Sequence, residues 1–364
     1  MTGAPAPPEH VPVVDAHLDL AFNAVGLGRD LTLPLDALRT AEARSEQSAM
    51  VTWPELRAAG IDLVFATLFA QPAQRVAMQP DAARPAEPVP EEQSIAPAYR
   101  NAEEAHAQAR AQLDWYLSME AAGWARIVRS RADLVALREQ RAAAWDAPIG
   151  VVVLMEGADP IRTPDEAQWW WEQGVRIVGP AWQATRYAGG TRAPGPLTPL
   201  GRALIDTMQE LGMALDLSHL ADESLWQALE RFDGPCLASH SNARAITPSD
   251  RHLSDDALRA LGERDGVVGL VLGNSFLDHT AGRRGPVDLR SVKRHFGHVR
   301  KLVGSGRVGI GSDLDGGFGA EETPIELTRG GDFARLGEAV SHEHRASFLG
   351  GAWWAWLERS LPST

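Results

Sequence analysis

Sulfur is scarce in this chain. Its 364 residues include one cysteine, Cys236, which rules out an intrachain disulfide and a cysteine-ligated zinc centre. Any metal must therefore be held by His, Asp and Glu. Cys236 sits in the apolar run Gly234-Pro235-Cys236-Leu237-Ala238, where a buried structural role is expected. Long apolar stretches are missing too: no run approaches the roughly 18 residues needed to span a bilayer. The first ten residues are rich in Pro and Ala and lack the basic and apolar regions of a signal peptide. The end, Pro362-Ser363-Thr364, lacks the apolar tail of a lipid-anchor signal. A cytoplasmic protein without a membrane partner is the expectation. Basic residues are outnumbered, 35 Lys and Arg against 48 Asp and Glu, for a net charge of -13. That balance disfavours nucleic acid and anionic membrane surfaces, which reward clustered cations. No block of like charges occurs, so the acidity reads as bulk solubility.

What is present is a repeating pattern. The hydrophobic fraction of 44% allows a large core. Eight short apolar runs follow one another: Val11–Ala16, Ile61–Phe69, Ile149–Met155, Val175–Pro180, Ala214–Ser218, Cys236–Ser239, Gly266–Leu272 and Arg307–Ser312. Each is nearly continuous in apolar residues, as in a parallel strand buried on both faces. Helical patterns lie between them, at Ser94–Ala122, Thr163–Gln173, Thr198–Leu211, Asp222–Phe232 and Ser254–Glu263, several opened by a cap residue or a Pro. Strand and helix alternating eight times predict a closed (β/α)8 TIM barrel spanning residues 1–364 as one domain. A doubly wound open sheet is the alternative. Two segments interrupt the repeat. Residues 71–97, rich in Pro, Ala and Glu, read as a surface excursion, and the Gly- and Pro-rich Thr185–Pro199 reads as a loop over the site.

In such a barrel the chemistry sits at the C-terminal ends of the strands. There the chain places Asp15-Ala16-His17-Leu18-Asp19, Met155-Glu156-Gly157, Ser218-His219, Ser239-His240-Ser241 and Gly309-Ile310-Gly311-Ser312-Asp313-Leu314-Asp315. His17 and Asp19, two residues apart in an extended segment, project to one side and can reach one metal. Taken alone the pair also fits a polar strand end. Glu156 fits either an exposed loop acid or a carboxylate bridging two cations. His219 and His240 each fit a structural histidine when read singly. Together the five suit imidazole and carboxylate coordination of zinc or a similar divalent ion. Asp313 is placed to move the proton of an activated water, while Asp315 reads as structural or capping. Arg251, in the loop after strand six, fits either a surface residue or a clamp for a substrate carboxylate. These parts suggest two cations about 3.5–4 Å apart sharing Glu156 and a water.

These motifs, with Arg251-His252-Leu253-Ser254-Asp255-Asp256, resemble the membrane (renal) dipeptidases, peptidase family M19. The resemblance runs from about Val11 to the C-terminal helix. It implies a (β/α)8 barrel of the metal-dependent hydrolase type with two zinc ions, or other divalent ions, that hydrolyses dipeptides and often tolerates a D-residue at the C-terminal position. By the resemblance His17 and Asp19 hold one zinc, His219 and His240 the other, and Glu156 bridges them. Asp313 then matches the catalytic acid and base, and Arg251 the arginine that contacts substrate. A homodimer is also implied. The chain departs from the family in three places. Trp182 stands where the family has a substrate-contacting histidine, and His252 stands where it has an Asn. Leu349-Gly350-Gly351-Ala352-Trp353-Trp354-Ala355-Trp356 replaces a Gly-x-Asn segment, its tryptophans reading as core packing or a dimer surface. Trp182 leaves open a related amidohydrolase acting on another small amide or a lactone. A catalytically silent ligand-binding barrel is the third reading.

Overall fold

The computed structural model describes residues 11–43, 45, 47–73, 98–144 and 146–364. The N-terminal ten residues, on which the absence of a signal peptide was argued, lie outside them, as does most of the Pro-rich excursion (74–97).

All eight apolar runs form strands: β1 Val14–Leu18, β2 Leu63–Phe69, β3 Ile149–Glu156, β4 Val175–Gly179, β5 Ala214–Asp216, β6 Cys236–Ala238, β7 Val267–Leu270 and β8 Val308–Ile310. Every pairing among them is parallel. Their order is β2-β1-β8-β7-β6-β5-β4-β3, and β3 pairs back onto β2, so the sheet closes. That closing ladder runs from Leu63 opposite Gly150 to Phe69 opposite Glu156. Closure excludes the doubly wound alternative.

The near-continuous hydrophobicity of the strands has two causes. One set of side chains, including Val64, Ala66, Val151, Val153, Leu215 and Val268, packs into the large cluster shared with the surrounding helices. The alternate set, Val14, Ala16, Leu63, Phe65, Val152, Leu154, Ile177 and Leu237, forms a second cluster with Trp353, Trp354 and Trp356. The C-terminal tryptophans are therefore core. Trp353 is fully buried, its Nε1 donates to the Ile310 carbonyl at 2.9 Å, and its ring meets Phe65 edge-on at 5.1 Å. Gly309 makes room for it, since a Cβ there would lie 2.3 Å from Nε1.

The helices begin where cap residues supply an acceptor for a free backbone N–H. Asn101 caps Ala102–Ala121, Thr198 caps Pro199–Leu211 and Ser254 caps Asp255–Glu263. Asp222–Arg231 also matches its expected range, and the predicted segment from Thr163 forms a 3-10 turn that runs into Ala167–Glu172. The structure adds the helices Arg131–Ala143 and Leu289–Val303 and a short strand, Ala125–Ile127, beside the lower part of β3. Thr185–Pro199 is not a simple loop: it carries an antiparallel hairpin of Ala188–Gly190 and Ala193–Leu197. No helix among the described residues is long and apolar enough to cross a membrane.

Candidate metal and substrate site

Strand parity aims several of the site's side chains inward. Leu63 and Phe65 face the barrel interior, so Thr67 and Phe69 follow on the same side; Val152 and Leu154 likewise lead to Glu156. β1 is different. Val14 and Ala16 face inward, so plain alternation would turn His17 and Asp19 outward. The pairing of β1 with β2 is irregular between Asp15 and Leu18. A slip of this kind re-aims the following side chains, here into the mouth of the barrel.

The structure brings His17, Asp19, Glu156, His219, His240 and Asp313 together, all buried. Glu156 Oε2 lies 3.5 Å from His17 Nε2, while its Oε1 lies 3.1 Å from His219 Nε2 and 3.4 Å from His240 Nε2. His17 Nε2 is also 3.9 Å from Asp19 Oδ1 and 3.8 Å from Asp313 Oδ1. Ligand-type atoms of His17, Glu156 and His240 lie within 4.8 Å of one another, as do those of His17, Asp19 and Asp313. His17 Nε2 is buried and makes no hydrogen bond, and the Nε2 atoms of His219 and His240 face each other at 3.1 Å. The rings of His17 and His240 stack at 3.5 Å.

A layer of hydroxyls and one carboxylate, none of it anticipated from the sequence, fixes these rings. Asp216, at the end of β5, accepts backbone N–H groups from Ser218 and Ser239 at 2.9 Å each and the Ser239 hydroxyl. Because Ser239 donates to Asp216, its oxygen is left to accept Nδ1–H of His240 at 2.8 Å. The His240 proton then resides on Nδ1, and the Nε2 lone pair faces the cluster. Thr191 Oγ1 contacts His219 Nδ1 at 3.0 Å, and Thr67 donates to Asp19. Such partners leave no signal in a single sequence, because Ser and Thr at strand ends are common.

His219 and Asp313 both take left-handed backbone conformations, with φ of 66° and 59°. Asp315 was expected to be structural or capping. The strand β8 ends at Ile310, and Asp315 is itself left-handed, at φ 63°. Its carboxylate accepts N–H from Met50 and Val51, a structural role. The small residues of this strand end admit protein groups: a Cβ on Gly311 would sit 1.8 Å from the Ser239 carbonyl oxygen. Arg251 is buried, donating to the His240 carbonyl at 2.7 Å and to Ser241 Oγ at 3.2 Å, with its guanidinium over the Phe276 ring. His252 turns away from the site and is buried against Phe276, its Nδ1 accepting from Asn242 N at 3.3 Å.

The cluster forms the floor of a cavity of about 450 Å³ whose wall includes Phe22, Phe69, Trp182, Arg251, Phe276 and Phe318. Trp182 is half-buried, meets Phe69 edge-on at 5.1 Å and lies 6.3 Å from the His219 ring. The aromatic neighbours were not anticipated.

Burial and mutual charge set the titration of the cluster. Burial raises the Glu156 carboxyl, but His17, His219 and His240 hold it well below the usual range. Burial lowers His17, yet Glu156, Asp19 and Asp313 lift it to about 10. Burial and the charge of Arg251 bring His219 down to about 4. Burial raises Asp313 well above the ordinary value, with His17 opposing and Asp19 and Glu156 reinforcing. Three carboxylates thus crowd one imidazole, and two further imidazoles stay neutral, a donor set of N and O atoms suited to divalent cations.

Comparison with known proteins follows the same lines. The sequence model of the membrane dipeptidases, peptidase family M19, matches residues 6–341. A Klebsiella pneumoniae protein of unassigned function, encoded in the pqqA 5' region, is 33% identical over 210 residues, 55% of this chain and 75% of that one. Dipeptidase 3 of Mus musculus is 34% identical over 120 residues, 33% of this chain and 24% of that protein. Among solved structures, a metallo-peptidase of Rhodobacter sphaeroides, bound to a phosphinate mimic of the dipeptide L-Ala-D-Ala, superposes with a TM-score of 0.77 at 27% identity, covering 97% of this chain and all of that one. A metallo-peptidase of family M19 called dipeptidase AC gives the same TM-score at 26% identity, covering 98% of this chain and all of that one.

Proposed function

The chain belongs to peptidase family M19, the membrane dipeptidases, and from that premise we propose that it is a zinc-dependent dipeptidase that accepts a D-residue at the C-terminal position. The observation that carries the reading is the division of Glu156. One carboxylate oxygen faces His17, next to Asp19, and the other faces His219 and His240. His17 and Asp19 would hold one ion and His219 and His240 the other, with Glu156 placed to reach both. The unpartnered Nε2 of His17, and the Nε2 atoms of His219 and His240 turned toward Glu156, fit this assignment. The relative captured with an L-Ala-D-Ala mimic supports the stereochemical tolerance.

Divalent cations in this site supply Lewis acidity toward the scissile carbonyl and a nucleophilic water at neutral pH. The protein's own groups do the rest. Asp313 accepts the proton of the attacking water and returns it to the leaving amine, work for which a buried carboxyl of raised pKa is suited. Arg251, held by the His240 carbonyl and Ser241, keeps N–H donors free for the substrate's terminal carboxylate. The aromatic wall excludes water from the reacting bond. Trp182 has a donor N–H but cannot carry charge, and this favours one second reading: cleavage of another small amide or a lactone.

The test is metal analysis together with a panel of L-Xaa-L-Xaa and L-Xaa-D-Xaa dipeptides. Two zinc ions per chain and release of free amino acids support the reading. A metal-loaded enzyme that ignores every dipeptide but opens lactones or other amides would establish the second reading in its place.

A further inference from the structure

Three arginines line the cavity: Arg251, Arg283 and Arg192. Two are anchored by protein acceptors. Arg251 holds the His240 carbonyl and Ser241, and Arg283 donates to the Glu322 carboxylate at 2.7 Å and to the Gly317 carbonyl. Among the described residues no acceptor takes the guanidinium of Arg192.

Its backbone, in contrast, is fixed. Arg192 follows Thr191 at the tip of the hairpin that rises over the site, with a left-handed φ of 60°. Its N–H donates to Asp250 Oδ2 at 2.7 Å, and Asp250 is the residue before Arg251. Thr191 N donates to the Trp182 carbonyl at 3.1 Å, and Thr191 Oγ1 contacts His219. Beneath the tip, a Cβ on Gly190 would lie 2.4 Å from the Gln183 carbonyl oxygen, so the hairpin is pressed onto the Trp182–Gln183 backbone. This non-glycine residue in a sparsely populated conformation is thus clamped from both sides beside the cavity. A held backbone keeps this uncommitted cation beside the cavity, so only the side chain's own freedom is lost when an anion binds.

We propose that Arg192 is a specificity-determining residue: it receives a second carboxylate, on the side chain of the substrate's C-terminal residue, while Arg251 receives the terminal carboxylate. The preferred substrates are then dipeptides ending in Asp or Glu. The proposal rests on the dipeptidase reading, and its test separates the two.

The zinc-loaded enzyme is assayed with L-Ala-L-Asp, L-Ala-L-Ala and L-Ala-L-Lys, as wild type and as Arg192→Asn, Arg192→Lys and Arg192→Glu. Asn tolerates the left-handed backbone, so Arg192→Asn isolates the charge. Binding of N-acetylaspartate and N-acetylalanine is measured alongside by calorimetry. Wild type is expected to favour Ala-Asp over Ala-Ala by about 10-fold in kcat/KM, the scale of one charge-assisted hydrogen bond at a partly exposed site. Arg192→Asn removes that preference through KM and leaves Ala-Ala within about 2-fold. Arg192→Lys restores part of it, and Arg192→Glu turns the preference toward Ala-Lys. Molar salt shrinks the wild-type preference by screening. Equal kcat/KM for Ala-Asp and Ala-Ala in wild type, or an equal loss on both in Arg192→Asn, overturns the role of Arg192 and leaves the dipeptidase reading standing. If no dipeptide is cleaved but N-acetylaspartate still binds about 10-fold more tightly than N-acetylalanine in an Arg192-dependent way, the dipeptidase reading falls and the anion site stands.

Discussion

Replacing Asp313 by Asn separates proton transfer from everything else this residue does. The change is nearly isosteric, and Asn is among the residues best able to occupy a left-handed backbone at φ 59°. Ala would confuse the result by adding about 1–2 kcal/mol of backbone strain. Asp313 is buried, and its carboxyl is already pushed toward the neutral form. A neutral amide is therefore tolerated by the surroundings, and the metal-free variant should melt no lower than metal-free wild type. No neighbour can take over its task, because Asp19, Glu156 and His17 are engaged as ligands in this account. Loss of a general acid–base group slows chemistry by about 100-fold or more, which is roughly 2.7 kcal/mol at about 1.36 kcal/mol per decade. The assay is kcat on L-Ala-L-Ala and L-Ala-D-Ala at saturating zinc, with metal content measured on the same samples. The expected result is a kcat lower by about two decades or more with two zinc ions retained. An unchanged kcat refutes the proton-transfer role, and loss of an ion reassigns Asp313 as a ligand.

Three further changes test other parts of the account. Asp216→Asn should turn the Ser239 hydroxyl toward His240 Nδ1 and shift the imidazole proton to Nε2; zinc affinity, measured by competition with a chelator, should fall by about 10–100-fold while the fold persists, and unchanged affinity would show that this positioning chain is idle. Arg251→Lys keeps the charge but loses the planar fork, so KM should rise by about 10-fold with little change in kcat; the opposite split would move Arg251 from binding to chemistry. Trp353→Ala removes the barrel's inner plug and a buried hydrogen bond, which should destabilise the protein by about 3–5 kcal/mol in urea titration and leave zinc stoichiometry intact in the folded fraction.

The barrel was legible because parallel strands covered on both faces must be apolar almost throughout, and all eight such runs became strands. The site was legible in part, since the metal-type residues stand at strand ends and the barrel brings those ends together. What stayed hidden has physical reasons. The hairpin Ala188–Leu197 contains Ala193-Pro194-Gly195-Pro196-Leu197, and Pro and Gly are what a strand interior avoids, so the segment read as a loop. The slip in β1 that turns His17 inward leaves no trace in composition. Asp216 and Ser239 looked like the ordinary polar ends of two strands, and only their meeting across the barrel gives them a task. Asp315 read as structural, but the two left-handed residues, Asp313 and Asp315, beyond a strand three residues long carry no pattern that a sequence shows.

In the proposed centre Glu156 stands between two cations. Diffraction from a zinc-soaked crystal, with anomalous data recorded at the zinc edge, tests it most directly. Two peaks about 3.5–4 Å apart are expected, one beside His17 and Asp19, the other beside His219 and His240, with Glu156 touching both. A single peak, or two peaks with Glu156 bound to neither, would contradict it.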